Sequence, residues 1–580
     1  MSWILGVYRP AVDQSDETRI AAIVPPALHS IVVGGLCVHA GGLPETCASG
    51  VDTGSDATQG WVVVGAGLVS ERGRARIIRP SEWRTVLFSE TTLPRALDGH
   101  YAGIRWTPGM FRLFCDPLGL RFMYYTPVGE GLAFSTRIDW LAHFSEKRTL
   151  DYRAMGSRWT CFHQIGYDSG IQGIGRLPPG GTLTFTSRQL KVESCPWQPS
   201  FTPVAPSDVS AHLSVLSDPS PPDGNSLSLG LSGGIDSRLL LAVRYARHGR
   251  RVLVHTFGDP SDPDVRIPTE IAKELGLDAM LLHEPLQKPA TLIPLVQAYC
   301  AETMLIEPAS SSLKLRYYPR IRAEKRFLID GGFGELGRRQ YFNRLRSFGL
   351  AAMNRGDPNL MRKWISVHRP AVFVREVVEM MAEGAVDDMA LQLQLLPAPG
   401  EIGIENFLDL LAVRTRVPNY GGPEQGRLDA AVPNLMPLVQ PSYLRLVFGL
   451  PVGLRRKASL IRKLIARSVP TLARHRLAKS GSEYPFWMAG TTAVLYTKML
   501  RMAGRSFHDQ SRKTTLLALR EFIQDLAHSS DTKAFDAYEP GTVQRLVDAY
   551  YGGHTEAEAD VDWWLAFELW RRALGGPNSG

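Results

Sequence analysis

The chain has 580 residues, too many for one hydrophobic core, so two or more domains are expected. With 44% apolar and 21% charged residues, and no apolar run near the roughly 18 residues that span a bilayer, it reads as an ordinary globular chain. The net charge of +8 is concentrated: Pro441 to Ser482 contains no Asp or Glu, while "LRRKASLIRKLIARSVPTLARHRLAK" carries nine Lys or Arg. Such a run suits a solvated helix face or an anionic partner.

The opening "MSWILGVYRPAVDQ" lacks the basic and long apolar regions of a signal peptide. Six scattered cysteines (Cys37, Cys47, Cys115, Cys161, Cys195 and Cys300) form no metal-like pairs and read as reduced and mostly buried. A cytoplasmic protein is expected.

Residues 1 to about 200 contain short alternating runs such as "GWVVVGAGLV" and "GTLTFTS", which predict antiparallel strands joined by tight turns. The stretch "SFTPVAPSDVSAHLSVLSDPSPPDGNS" is dense in Pro, Ser and Asp, so 201–226 reads as a linker with room for a short helix. From 227 the period changes. "SLSLGLS", "RVLVHTFG", "AMLLHEP" and "RFLIDGG" read as strands, and "SRLLLAVRYARHG", "VRIPTEIAKELG" and "TLIPLVQAYCAETM" as helices. The alternation predicts a parallel, doubly wound sheet, with added helices after about 340. The stripe Trp563, Trp564, Phe567 and Trp570 fits a packed helix face.

One stretch carries chemistry. In "LGLSGGIDSRLLLA" a strand ends at Ser232, Gly233, Gly234, Ile235, Asp236 and Ser237 and a helix begins. Gly233 and Gly234 permit close backbone approach, the helix start offers free N–H groups, and Ser232 and Ser237 add hydroxyls: a place for phosphates. A carboxylate beside phosphates is repulsive unless a divalent cation lies between them, so Asp236 predicts Mg²⁺. The chain has no G-x-x-x-x-G-K-[ST] motif, so the loop is not of Walker type.

The loop resembles the pyrophosphate loop of the ATP pyrophosphatase superfamily, whose members adenylate a substrate with ATP and release pyrophosphate. "LDGHYAGIRW", "FCDPLGLRFMYYT", "LAFSTRIDWLAHF" and "IGRLPPGGTLTF" resemble, in order and spacing, the glutaminase domain of asparagine synthetases. That resemblance implies a sandwich of two antiparallel sheets between layers of helices. A working glutaminase of this kind needs an N-terminal cysteine as nucleophile, whereas here Ser2 and Trp3 follow Met1. The domain is expected to be inactive on glutamine, and the attacking amine to come on the substrate.

Further along, "TFGDPSDPDVRIPTEIAKELGL" resembles the second nucleotide strand and helix of asparagine synthetases, which implies Phe257 and Gly258 near the adenine. "LIDGGFGELGRRQYF" resembles their acidic Gly-rich loop, with Gly332 at the nucleotide. The usual metal aspartate aligns with Gly334, leaving Asp330 or Glu335 to substitute. "ARHRLAKSGSEYPF" matches the segment of the catalytic lysine, which falls on Lys479; a fixed ammonium there would stabilise developing negative charge. Glu302 or Glu307 in "CAETMLIEPASSS" is a candidate base for the attacking amine, by analogy with β-lactam synthetases, and Tyr317 and Tyr318 are weaker ones.

The layout as a whole looks most like lasso peptide cyclases, macrolactam synthetases of the asparagine synthetase-like family. The resemblance implies ATP and Mg²⁺, a precursor peptide as substrate, and a leader peptidase and leader-binding protein as partners, with no nucleic acid and no membrane. It also implies an inactive glutaminase-like domain over 1–200 and an ATP-binding synthetase domain over 227–580. An asparagine synthetase or a small-molecule cyclase is the alternative.

Overall fold

The computed structural model describes residues 2–9, 14–53, 58–71, 73–89, 97–145, 148–186, 189–221 and 224–575. Two antiparallel sheets form the N-terminal part. One has six strands in the order Gly175–Arg176, Tyr124–Val128, Gly131–Ser135, Trp3–Tyr8, Leu36–Gly41 and His29–Val33. The other runs Gln189–Ser194, Gly181–Thr186, Met110–Cys115, Asp98–Thr107, Thr58–Glu71 and Cys47–Thr53, with Arg74–Ile77 paired to Thr58–Glu71.

Strand periodicity explains how they stack. Along Thr58–Glu71, Val62 and Val64 point into the space between the sheets, where Ile4, Val38, Ile104, Leu113 and Phe134 also pack. Trp61 and Val63 alternate to the opposite face and lie under the helix Trp83–Phe88, with Tyr101 and Phe114. The other outer face, carrying Leu5, Val7 and Ala133, is covered from the C-terminal part. Leu292, Val296 and Cys300 of helix Pro289–Thr303 pack there, and so do Trp564, Phe567 and Trp570 of helix Glu558–Gly575. The expected helical layers are therefore not the sandwich's own on this side, because the sheet presents apolar side chains on both faces.

The C-terminal part holds a five-stranded parallel sheet: β1 (Ser226–Gly230), β2 (Leu253–Phe257), β3 (Asp278–Leu282), β4 (Arg326–Ile329) and β5 (Asn434–Leu435). Its order is β3-β2-β1-β4-β5, with helix α1 (Ile235–His248) after β1 and α2 (Pro263–Leu275) after β2. The strand order reverses between β1 and β4. In an open α/β sheet the crevice beyond that reversal, at the carboxyl ends of the strands, is where ligands bind.

The stretch read as a linker is packed. Helix Pro206–Leu216 buries Val209, Leu213 and Leu216 against Leu229 and Leu240, in one apolar cluster with Leu118, Leu120 and Trp197. The two parts also share buried polar contacts: His100 Nε2 lies 3.1 Å from Asp429 Oδ1, and Arg121 Nη1 3.1 Å from Asp429 Oδ2. Among the described residues no helix is long and apolar enough to cross a membrane. All six cysteines are free, and Cys195 alone is exposed.

Candidate functional site

The turn after β1 lies at the strand-order reversal. Ser232 N–H donates to Ser237 Oγ (3.1 Å), Gly234 N–H to Ser232 Oγ (3.2 Å) and Gly233 N–H to Asp264 Oδ1 (3.1 Å). The loop is thus fixed by its own hydroxyls and by α2, whose N-cap Asp262 accepts from Asp264 N–H (2.9 Å). Gly234 caps α1 with no side-chain hydrogen bond, so the first N–H groups of the helix have no competing side-chain acceptor there. Close approach dictates the glycines. A Cβ on Gly233 would sit 2.5 Å from Ala478 Cβ, and one on Gly331 3.0 Å from Ser237 N.

A cavity of about 350 Å³ opens over this turn, a size within the range of small-molecule sites. Ser232, Gly234, Asp236, Ser237, Phe257, Asp264, Tyr318, Asp330 and Gly332 line it. Phe257 stacks on Tyr317 with ring centres 5.0 Å apart. Gly258 does not line the cavity; its N–H is bonded to Leu282 O (3.0 Å). Asp330 Oδ1 accepts from Gly332 N–H (2.6 Å), and burial raises its carboxyl above the ordinary range. Asp330 shapes its own loop and lines the same cavity as Asp236.

Beyond the loop lies a second cavity of about 480 Å³, which shares Gly234 with the first. Ile235, Glu335, Arg338, Tyr341, Arg416, Lys479 and Tyr484 line it, and the N-terminal part contributes Phe162 and His163. Lys479 ends the strand Leu477–Lys479, which pairs with Ser482–Tyr484 through a two-residue turn, Ser480 (φ +50°) and Gly481 (φ +71°). Two positive φ values give the hairpin turn whose twist matches its strands. Lys479 is exposed, and no ion pair ties it among the described residues. Partial burial, with Arg338 and Arg501 nearby, lowers its ammonium below the usual lysine range.

Asp236 and Glu335 meet at one guanidinium. Arg338 donates from Nε to Asp236 Oδ1 (2.9 Å) and from Nη2 to Asp236 Oδ2 (2.7 Å), and its Nη2 lies 3.3 Å from Glu335 Oε1. Gly334 makes room for this: a Cβ there would lie 2.2 Å from Asp236 Cγ. Burial raises the Asp236 carboxyl and Arg338 opposes that shift. Among the described residues no group of three or more His, Cys, Asp or Glu is arranged for a metal ion. Yet two carboxylates converge on a cation, so a divalent ion held by Asp236 and Glu335 fits where the guanidinium stands.

Glu302 and Glu307 are placed elsewhere. Glu302 is paired with Arg137 (2.5 Å) and lines a separate cavity of about 20 Å³. Glu307 accepts from the Tyr299 hydroxyl (2.7 Å), the Tyr420 hydroxyl (2.7 Å) and Lys314 Nζ (2.5 Å). Neither lines the two cavities that flank the loop.

At the head of strand Trp3–Tyr8 the buried Ser2 hydroxyl contacts Thr46 Oγ1 and accepts from Leu43 N–H (3.3 Å). Of the thiols in this sheet region, Cys47 follows Thr46 and Cys37 lies further along, opposite Val7; burial pushes Cys37 up to about 11 and Cys47 up to about 12, so neither is a thiolate at neutral pH.

Part of the basic run is paired with acids distant in sequence. Buried Arg455 pairs with Asp409 (2.6 Å), Arg456 with Glu405, and Arg474 and His475 with Glu274 (2.7 Å each).

Sequence reasoning missed Asp264, Arg338, Phe162 and His163. Asp264 follows an N-cap Asp-Pro and looks like any first-turn acid; Arg338 stands inside a quoted motif with no signal of its partner. Nothing in the sequence ties Phe162 or His163 to a loop so far along the chain.

No protein-family model and no curated protein matches the chain. Among solved structures it is similar to an allosteric regulatory enzyme of purine biosynthesis, at 9% identity over 48% of this chain and 80% of that one, with a TM-score of 0.23. It is also similar to the glutamine phosphoribosylpyrophosphate amidotransferase from B. subtilis complexed with ADP and GMP: 9% identity, 57% and 81% coverage, TM-score 0.22. At such scores neither likeness bears on fold or activity.

Proposed function

We propose that this chain is an ATP-dependent, AMP-forming amide synthetase that closes a macrolactam ring in a peptide, as lasso peptide cyclases do. The observation that carries the reading is the pair of cavities sharing Gly234: one over the Gly-rich turn at the strand-order reversal, the other reaching Lys479. ATP lies in the first with its phosphates at the start of α1. An Asp or Glu side chain of the peptide enters from the second and is activated as its adenylate, with release of pyrophosphate. The peptide's N-terminal amine then forms the amide, and AMP leaves.

Mg²⁺, when bound by Asp236 and Glu335, offsets charge on the departing pyrophosphate. The chain's own residues do the rest. Ser232 and Ser237 fix the turn, Phe257 and Tyr318 wall the nucleotide, and Lys479 stabilises negative charge that builds on phosphate and carbonyl oxygens. Phe162, His163 and Tyr341 enclose the peptide and limit water. Holding amine and activated acyl group together supplies up to about 7–11 kcal/mol of the barrier reduction. The buried Ser2 hydroxyl and protonated thiols support a wall-forming role for the sandwich, with the amine arriving on the peptide. A leader peptidase and a leader-binding protein would deliver that peptide.

The test is intact mass. A linear precursor peptide incubated with the protein, ATP and Mg²⁺ is expected to lose one water, with AMP formed in equal amount. AMP formation without mass loss, or none of either, sets the reading aside.

A further inference from the structure

We propose that Arg338 is a latch on the metal position of this site, closing it until the nucleotide arrives. The inference rests on the functional reading above. Its geometry is specific: the guanidinium of one loop residue takes both oxygens of Asp236, and the same Nη2 reaches Glu335. A cation between two carboxylates is what the phosphate site needs, but a guanidinium attached to the chain cannot leave with pyrophosphate. It can only swing aside.

The surroundings allow that movement and give it a consequence. Arg338 is partly exposed, at 18%, and lines the larger cavity together with Lys479. Gly334 lets the Asp236 carboxylate lie against the loop backbone. The Tyr341 hydroxyl donates to Glu335 Oε2 (3.2 Å), holding that carboxylate in place independently of Arg338. With the nucleotide absent, the ion pair removes two facing negative charges that would otherwise repel. When phosphates enter with their divalent ion, Asp236 and Glu335 exchange guanidinium for metal, and Arg338 is released beside Lys479. Metal and nucleotide therefore enter together, and the empty site holds no metal.

The latch is tested without nucleotide, by loss of the free Mn²⁺ signal in electron paramagnetic resonance on the purified full chain. Arg338→Gln is expected to bind one Mn²⁺ about tenfold or more tighter than the wild type, a small part of the penalty for leaving the mostly buried Asp236 carboxylate unpaired. Arg338→Gln/Glu335→Gln is expected to lose that gain. Arg338→Lys keeps the charge without the fork and is expected to fall between wild type and Arg338→Gln, which keeps the test open if the glutamine variant folds poorly. Equal Mn²⁺ affinity in wild type and both single variants overturns the latch. Nucleotide binding is measured separately: a wild type that binds no ATP defeats the functional reading, whereas the Mn²⁺ comparison bears on Arg338 alone.

Discussion

The backbone N–H of Ala478 donates to the carbonyl of Gly233 at 2.9 Å, so the hairpin that carries Lys479 is hydrogen-bonded directly to the Gly-rich turn. Arg238 of α1 reinforces the link by donating to the carbonyls of Leu472 (3.1 Å), His475 (2.9 Å) and Arg476 (2.7 Å). Turn, helix start and lysine therefore behave as one preorganised unit, as charge stabilisation during reaction requires.

Lys479→Ala removes the cation from that unit without touching its frame. Product formation is expected to fall by about 10²–10³ in kcat, the usual loss for one stabilising donor. ATP binding by calorimetry is expected to be retained within a few-fold. A threefold loss or less would assign the lysine to the basic surface.

Gly334→Ala tests the steric claim. Its Cβ would overlap Asp236, 2.2 Å from Cγ, so the carboxylate must move and the Arg338 pairing with it. Overpacking of this kind commonly costs about 1–3 kcal/mol of stability. ATP–pyrophosphate exchange is expected to be lost, as it should be in Asp236→Asn, which removes the charge that holds the divalent ion. Normal exchange in the alanine variant would show that the crowding is not real.

The stability of the chain in acid is expected to depend on Glu424. Burial works against its charge, yet Arg427 and Lys314 hold its carboxyl down to about 2. A folded value below the unfolded one, about 4.3, gives stability that is present above the unfolded value and lost as pH falls from there toward 2. Glu424→Gln should therefore lower the Tm markedly at pH 7, about half as much near pH 3 and little near pH 2. A Tm difference that stays constant across that range would remove the assignment.

Much of this architecture was legible because β2 and β4 are short, largely buried apolar runs, and α1 and α2 follow β1 and β2 at short, regular spacing. The turn at Ser232–Ser237 was legible for the same reason: glycine and a helix start leave local marks. β5 was not, since two residues, Asn434 and Leu435, carry no pattern. Nor was the fate of the carboxylates. Asp236 against Arg338, Glu302 against Arg137 and Glu424 against Lys314 are pairings made by loops and helices far apart in the chain, and a charge gives no local sign of its partner. The helix Pro206–Leu216 was allowed for, but its packing through Val209, Leu213 and Leu216 was not, because Pro and Ser dominate the stretch.

The sharpest division between the two amide-forming readings concerns where the nitrogen comes from. The thiols of Cys37 and Cys47 are held protonated by burial, and the Ser2 hydroxyl is engaged with Thr46 and Leu43. Glutamine is therefore not expected to serve; with the amine carried by the peptide, ammonia is not expected to either, and one peptide with ATP and Mg²⁺ should suffice. Acetylating the peptide's N-terminus should stop ring closure but leave ATP–pyrophosphate exchange intact, because activation uses the carboxylate and closure alone uses the amine. Glutamate release is measured by coupled assay, and exchange with labelled pyrophosphate for free and acetylated peptide. Stoichiometric glutamate release, or an amide formed from ammonia, would return the chain to the asparagine synthetase reading. Loss of exchange on acetylation would mean that the amine is needed to seat the peptide before any chemistry begins.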